Sequence, residues 1–159
     1  MNTPIAIYFA TMTGNAEGLA LQAQKRVHAL GLSATLHNLA DVKPAEFGAH
    51  AAQDGAVSLF FVSTWGDGEP PADACDFHYD LQKEALALGG SRHAVFGLGD
   101  KDYQNFNAFA RELDARLLEL GSTALLPRFE ADLDFEDTFG GWMEELAAAL
   151  SSATSAVVQ

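Results

Sequence analysis

The sequence predicts an α/β fold: a doubly wound five-stranded parallel sheet with strand order 2-1-3-4-5. Three observations point to it. Short apolar runs alternate with helical stretches, β-α-β-α-β-α-β-α-β-α, along the 159 residues. The strand runs are continuously apolar rather than alternating, the pattern of a parallel sheet covered on both faces. Right-handed crossovers then leave few topologies, and 2-1-3-4-5 is a common order for five strands.

Each element has its own justification. Residues 5–10 (IAIYFA) are a short apolar run with β-branched and aromatic members, a buried strand. Residues 15–30 have helical spacing: Leu19, Leu21, Val27 and Leu30 can share a face, and Gly31 stops the helix. Residues 34–39 form a weaker, alternating strand. A short helix over 43–52 begins near Pro44. VSLFFVST, at 57–64, is the strongest strand and apolar on both faces. Residues 73–88 read as a helix stopped by Gly89-Gly90, and 94–98 as the fourth strand. A long amphipathic helix over 105–120 ends at Gly121, a fifth strand spans 123–129, and a last helix spans 135–150. The segment 151–159 (SSATSAVVQ) is small, polar and uncharged. It reads as a flexible tail or the start of a linker, which leaves 1–150 as the domain.

Composition narrows the function classes. There are 22 acidic against 9 basic residues, a net charge of −13. That argues against nucleic acid and anionic membrane as partners and favours a basic protein partner, or merely solubility. The single cysteine, Cys75, excludes an internal disulfide and fits a reducing, cytoplasmic setting. The start of the chain lacks a basic leader region, and its apolar run over 4–10 is too short for a span or a signal peptide.

In a sheet of this order a ligand sits beyond the strand carboxyl ends, at the switch between strands 1 and 3. The loops after strands 1, 3 and 4 are therefore the informative ones. The first, TMTGNAE at 11–17, puts two threonines, a glycine and an asparagine at a helix start without any Lys or Arg. Backbone N–H groups there bind anions, and Thr11, Thr13 and Asn15 add neutral donors. The competing reading is an ordinary helix cap by Thr13 or Asn15. The second loop, STWGDGEPP at 63–71, sets Trp65 between a buried strand and a Gly/Pro turn, and its glycines let a planar ligand approach. Here the competing reading is an aromatic plug at the sheet end. The third, GLGDKDYQNFN at 97–107, carries Tyr103. It lacks the third glycine of a dinucleotide fingerprint, and no P-loop occurs in the chain. One phosphate cradle and two aromatics at one sheet end suit a planar ring with a phosphate tail, as in flavin mononucleotide (FMN).

With these motifs in place, the sequence resembles the flavodoxin-like FMN domains of diflavin reductases, of the sulfite reductase flavoprotein and NADPH–cytochrome reductase types. The matching stretches are TMTGNAE, STWGDGEPP, VFGLGDKDYQNFN (95–107) and RFEADLDFED (128–137), and similarity covers residues 4–150. The resemblance implies that Thr11, Met12, Thr13, Gly14, Asn15 and Ala16 cradle the FMN phosphate. It implies that Ser63, Thr64, Trp65 and Gly66 form the second loop, with Trp65 on one ring face. Leu98, Gly99, Asp100, Tyr103, Phe106 and Asn107 would form the third, with Tyr103 on the other face. Met12 departs from the polar residue usual in the phosphate loop, and Trp65 from the Tyr or Gln often found there. The chain looks short-chain, with no room after 123–129 for the insertion of long-chain relatives. It is either a free-standing flavodoxin or a domain cut from a reductase that also carries FAD and NADPH modules.

No catalytic group and no metal site is assigned. His28, His37, His50, His78 and His93 are scattered and read as surface or packing residues, and Cys75 as structural. The function expected is single-electron transfer by bound FMN between an NADPH/FAD-dependent reductase and a basic acceptor protein. Two other readings stay open: an FMN-dependent reductase of a small acceptor, marked by NAD(P)H oxidation, and a flavin-free binding module, marked by a colourless protein. Half of the 22 acids cluster near the expected strand ends: Asp67, Glu69, Asp73, Asp76, Asp100, Asp102, Glu130, Asp132, Asp134, Glu136 and Asp137. They form an acidic rim that steers a basic partner, or merely reflect the preference of acids for helix starts.

Overall fold

The computed structural model describes residues 4–10, 14–64, 68, 70–100, 102 and 107–158, without the side chains of 73 and 153–158. Strands β1 (Ile5–Ala10), β3 (Val57–Ser63) and β4 (Arg92–Leu98) form the centre of a parallel sheet, with β2 (Ala34–Asn38) on one side. With β5 (Thr123–Ala124) on the other side, its order is β2-β1-β3-β4-β5, the order expected from the alternation of elements.

Every residue of β1 and β3 is buried, because helices cover both faces. Alternation of side chains along each strand divides the core in two. Ile5, Ile7, Phe9, Leu59, Phe61 and Phe96 face α1 (Asn15–Ala29) and α5 (Phe135–Val158). Ala6, Tyr8, Phe60, Val62 and Val95 face α2 (Pro44–Ala51), α3 (Cys75–Lys83) and α4 (Ala108–Glu119). Aromatic rings anchor both halves. Trp142 meets Phe61 and Phe96 edge-on at 5.6 and 5.1 Å between ring centres, and Tyr8 stacks on Phe60 at 5.0 Å.

Three elements differ from their sequence assignment. The helix expected over 73–88 ends at Lys83, and Glu84 is already extended. Residues 84–88 (EALAL) have high helix propensity, so tertiary bonds override it. Leu88 is buried, and its N–H donates to Leu120 O at 3.0 Å. The Arg116 guanidinium takes the carbonyls of Leu81 and Glu84 at 3.0 and 2.9 Å. The fifth strand, expected to be continuous over 123–129, is two pieces: β5 (Thr123–Ala124) and β6 (Phe129–Ala131), both paired with β4. His93 pairs with Ala124 and Phe96 with Phe129, so 125–128 bulge past Ala94 and Val95. Pro127 stands in that bulge and has no N–H for the ladder. Finally, the backbone of α5 is helical through Val158 rather than ending near residue 150. Among the described residues no helix is long and apolar enough to cross a membrane.

Candidate functional site

The carboxyl ends of the strands lie side by side. Ala10 of β1 pairs with Val62, Ser63 of β3 with Leu98, and Leu98 of β4 with Ala131 of β6. The three loops singled out in the sequence all leave from this edge.

At the first loop, α1 begins behind Gly14, whose φ of 89° is open to glycine at no steric cost. Gly14 is the residue at the cap position, and it has no side chain to cover the first-turn N–H groups. The cap assignment considered for Asn15 therefore does not hold: Asn15 is the first helical residue and is exposed, while Ala16 is buried. The result is a helix start with backbone donors and the positive end of the helix dipole. Thr11, Met12 and Thr13 lie outside the described residues.

At the second loop, Ser63 is buried as the last residue of β3. Thr64 joins two elements. Its N–H donates to Leu98 O at 2.9 Å, and its Oγ1 accepts from the Phe109 N–H at 3.1 Å, in the first turn of α4. Trp65 and Gly66 lie outside the described residues.

At the third loop, Leu98 is buried and the Gly99 N–H donates to Ala131 O at 3.0 Å. Asp100 Oδ1 accepts from the Asp102 N–H at 3.0 Å, a local turn. Asn107 is fully buried, and its Nδ2 donates to Ala131 O at 3.0 Å. The preceding glycine has a packing reason. A Cβ on Gly97 would lie 2.5 Å from Asn107 Oδ1 and 2.6 Å from Ala110 Cβ, so only glycine lets α4 approach β4 this closely. Tyr103 and Phe106 lie outside the described residues. Two cavities of about 370 and 440 Å³ flank α2, and none of these site residues lines them.

Residues 7–142 match the family profile for flavodoxin. The chain belongs to the flavodoxin family. It is 35% identical over 150 residues to the sulfite reductase [NADPH] flavoprotein alpha-component of Bacillus subtilis, covering 94% of this chain and 24% of that one. It is 31% identical over 148 residues to the NADPH–cytochrome P450 reductase of Oryctolagus cuniculus, covering 92% and 22%. The chain thus spans about a quarter of the length of these curated relatives. Among solved structures, a cysteine-to-alanine mutant of flavodoxin from Pseudomonas aeruginosa superposes with a TM-score of 0.78 at 30% identity, covering 94% of this chain and 99% of that one.

The cofactor of this flavodoxin fold is FMN. The residues present fit it: a phosphate needs donors, and at the α1 start the cap residue, Gly14, has no side chain to occupy the backbone N–H groups. Gly14, Asn15 and Ala16 would hold the phosphate end; Thr64, Leu98, Gly99 and Asp100 lie at the carboxyl ends of β3 and β4.

A buried polar chain, absent from the sequence reading, runs from the amino end of β4 across α4 to the edge segment before β6. His93, on β4 and 1% exposed, meets Ser122 Oγ through Nδ1 at 2.7 Å and Asp114 Oδ1 through Nε2 at 2.8 Å. Arg128 donates to Asp114 Oδ2 at 2.7 Å and to Glu130 Oε2 at 2.9 Å. Burial alone would raise the Asp114 carboxyl, but the hydrogen bonds and charges of His93 and Arg128 outweigh it and hold it below the usual range. His93 is thus a packing residue, as the sequence suggested, but one tied into a charged network. The one sequence signal was Asp114 itself, an acid on the apolar side of α4 beside Ala110, Leu113 and Leu117. The network also qualifies the acidic rim. Glu130 is half-buried in ion pairs with Arg128 and Arg111, whereas Asp76, Asp102, Asp134, Glu136 and Asp137 are exposed. Asp67 and Glu69 lie outside the described residues.

Proposed function

We propose that this flavodoxin-family chain is a single-electron carrier, accepting electrons from an NADPH/FAD-dependent reductase, in the same polypeptide or a separate one, and delivering them to a basic acceptor protein. The observation that supports it best is the start of α1 behind a glycine cap, Gly14, at the sheet edge from which the loops bearing Trp65 and Tyr103 leave. In this reading Gly14, Asn15 and Ala16, with Thr11, Met12 and Thr13, hold the phosphate. Ser63, Thr64, Trp65 and Gly66 border one side of the ring, and Leu98, Gly99, Asp100, Tyr103 and Phe106 the other. When bound, FMN supplies the redox chemistry. The protein binds it, orients it and sets its electrostatics. A net charge of −13 disfavours further negative charge at the ring.

The exposed acids Asp134, Glu136 and Asp137, at the start of α5, support steering of a basic partner toward the strand ends. Steering of this kind weakens with salt, since the Debye length falls from about 10 Å at 0.1 M to about 3 Å at 1 M. The test is reconstitution with FMN, heat release to count it, then stopped-flow reduction of cytochrome c by the photoreduced protein across that salt range. About one FMN per chain and a steep salt dependence, flattened by Asp134→Asn with Glu136→Gln and Asp137→Asn, are expected. FAD or no flavin would overturn the cofactor site. An unchanged rate and salt slope in the triple variant would remove this segment from the docking face.

A further inference from the structure

Both ends of the third loop are tied to one carbonyl. The Gly99 N–H and Asn107 Nδ2 each donate to Ala131 O at 3.0 Å. Ala131 ends β6, beside Leu98 on β4, so this oxygen sits at the sheet edge where the loop leaves and returns. Asn107 is unusual in three further ways. Its φ of 55° is the one positive value at a non-glycine position among the described residues. It is fully buried, so its carboxamide is turned into the protein. Among the described residues its Oδ1 has no hydrogen-bond partner. That oxygen lies 2.5 Å from where a Gly97 Cβ would stand, so a Gly97 Cα hydrogen points at it, a weak C–H···O contact at best.

The left-handed backbone alone does not explain the residue, because glycine, aspartate and asparagine all tolerate it. The hydrogen bond does. Glycine has no side chain, and an ionised aspartate cannot donate. Asparagine is the choice among these three that keeps the backbone turn and also supplies a donor to Ala131. The same residue starts α4: its carbonyl accepts the Arg111 N–H at 3.1 Å, and two residues on the Phe109 N–H is taken by Thr64 Oγ1. A hydroxyl of the second loop is thus bound to the helix turn that Asn107 sets.

We infer that Asn107 acts as a positioning residue, its side chain a clasp that holds the base of the third loop on the Ala131 carbonyl. This deepens the FMN reading and rests on it only for the affinity arm of the test. Asn107→Gly keeps the backbone turn and deletes the clasp. Asn107→Asp keeps the shape and the turn and removes the donor. On FMN-free protein, amide hydrogen exchange over 99–107 should speed up about tenfold in both variants, the loss of one hydrogen bond of about 1.4 kcal/mol. Exchange in β1 and β3 should be unchanged. FMN affinity should fall by the same factor as the closed fraction, at most about tenfold.

Weaker FMN binding with unchanged loop exchange would make Asn107 a ligand contact and overturn the clasp. Equal acceleration in β1 and β3 would mean general destabilisation and overturn it as well. Failure of the parent protein to bind FMN would refute the cofactor reading, while the exchange comparison would still decide the clasp.

Discussion

Replacing Asp114 by asparagine tests the buried network most directly. The carboxylate receives two donors, His93 Nε2 at 2.8 Å and Arg128 Nη1 at 2.7 Å. An amide has one acceptor oxygen. If that oxygen meets His93, its NH₂ faces the Arg128 guanidinium, donor against donor; in the opposite orientation His93 accepts the NH₂ only by carrying its proton on Nδ1, and the pairing with a carboxylate charge is gone. One charge-assisted bond is lost in either case, a loss of about 1.5–3 kcal/mol. The Arg128 side chain is 26% exposed, so water takes up part of its stranded charge, and the larger cost of breaking a fully buried pair does not apply. We expect Asp114→Asn to lose about 2 kcal/mol, a fall in Tm of about 4–8 °C for a domain of this size. Urea unfolding of the FMN-free protein, followed by circular dichroism, measures this without the mass-action stabilisation that a bound cofactor adds. The carboxyl is depressed in the folded state relative to about 3.9 when unfolded. Its contribution is therefore complete above the unfolded value and disappears as pH falls through the folded one. The parent and variant stabilities should converge in acid, because a protonated Asp114 resembles the amide. A loss below about 0.5 kcal/mol at neutral pH, at the level of an ordinary surface substitution, or acid curves that stay parallel, would refute the reasoning.

Two further substitutions probe the strand ends. Gly97→Ala drives a methyl group into Asn107 Oδ1 and Ala110 Cβ, and α4 must move; overpacking of this kind costs about 1–3 kcal/mol, read by urea unfolding. Gly99→Ala, whose Cβ would lie 3.1–3.2 Å from Asn107 atoms, should cost less. Trp65→Ala and Tyr103→Ala should each weaken FMN binding by about 1–3 kcal/mol and raise flavin fluorescence. Variants that bind like the parent and stay dark would place both rings away from the flavin.

The elements legible from the sequence were those whose signal is local. Continuous apolar runs at 5–10 and 57–64 mark buried parallel strands because both faces of such a strand must leave water. Helical spacing over 15–30 and 105–120, with Gly31 and Gly121 at the stops, marks α1 and α4 for the same reason. The sequence also put its three candidate loops after strands 1, 3 and 4, whose carboxyl ends lie side by side in the sheet, as a doubly wound order requires.

Tertiary structure decided what depends on partners far along the chain. EALAL at 84–88 is helical by propensity, yet it runs extended because Leu120 O takes the Leu88 N–H and Arg116 takes the carbonyls at the end of α3. Pro127 was visible in the sequence, but whether the edge strand would end there or resume depended on the pairing of Phe129 with Phe96. His93, Asp114, Ser122 and Arg128 share no period and no motif. A hydrogen bond is decided by approach to within about 3 Å, which only packing brings about. Asn107 shows the division within one residue. The sequence by itself placed it at the end of the third loop, and the fold turned its amide inward, because the Ala131 carbonyl and the open space over Gly97 lie on that side.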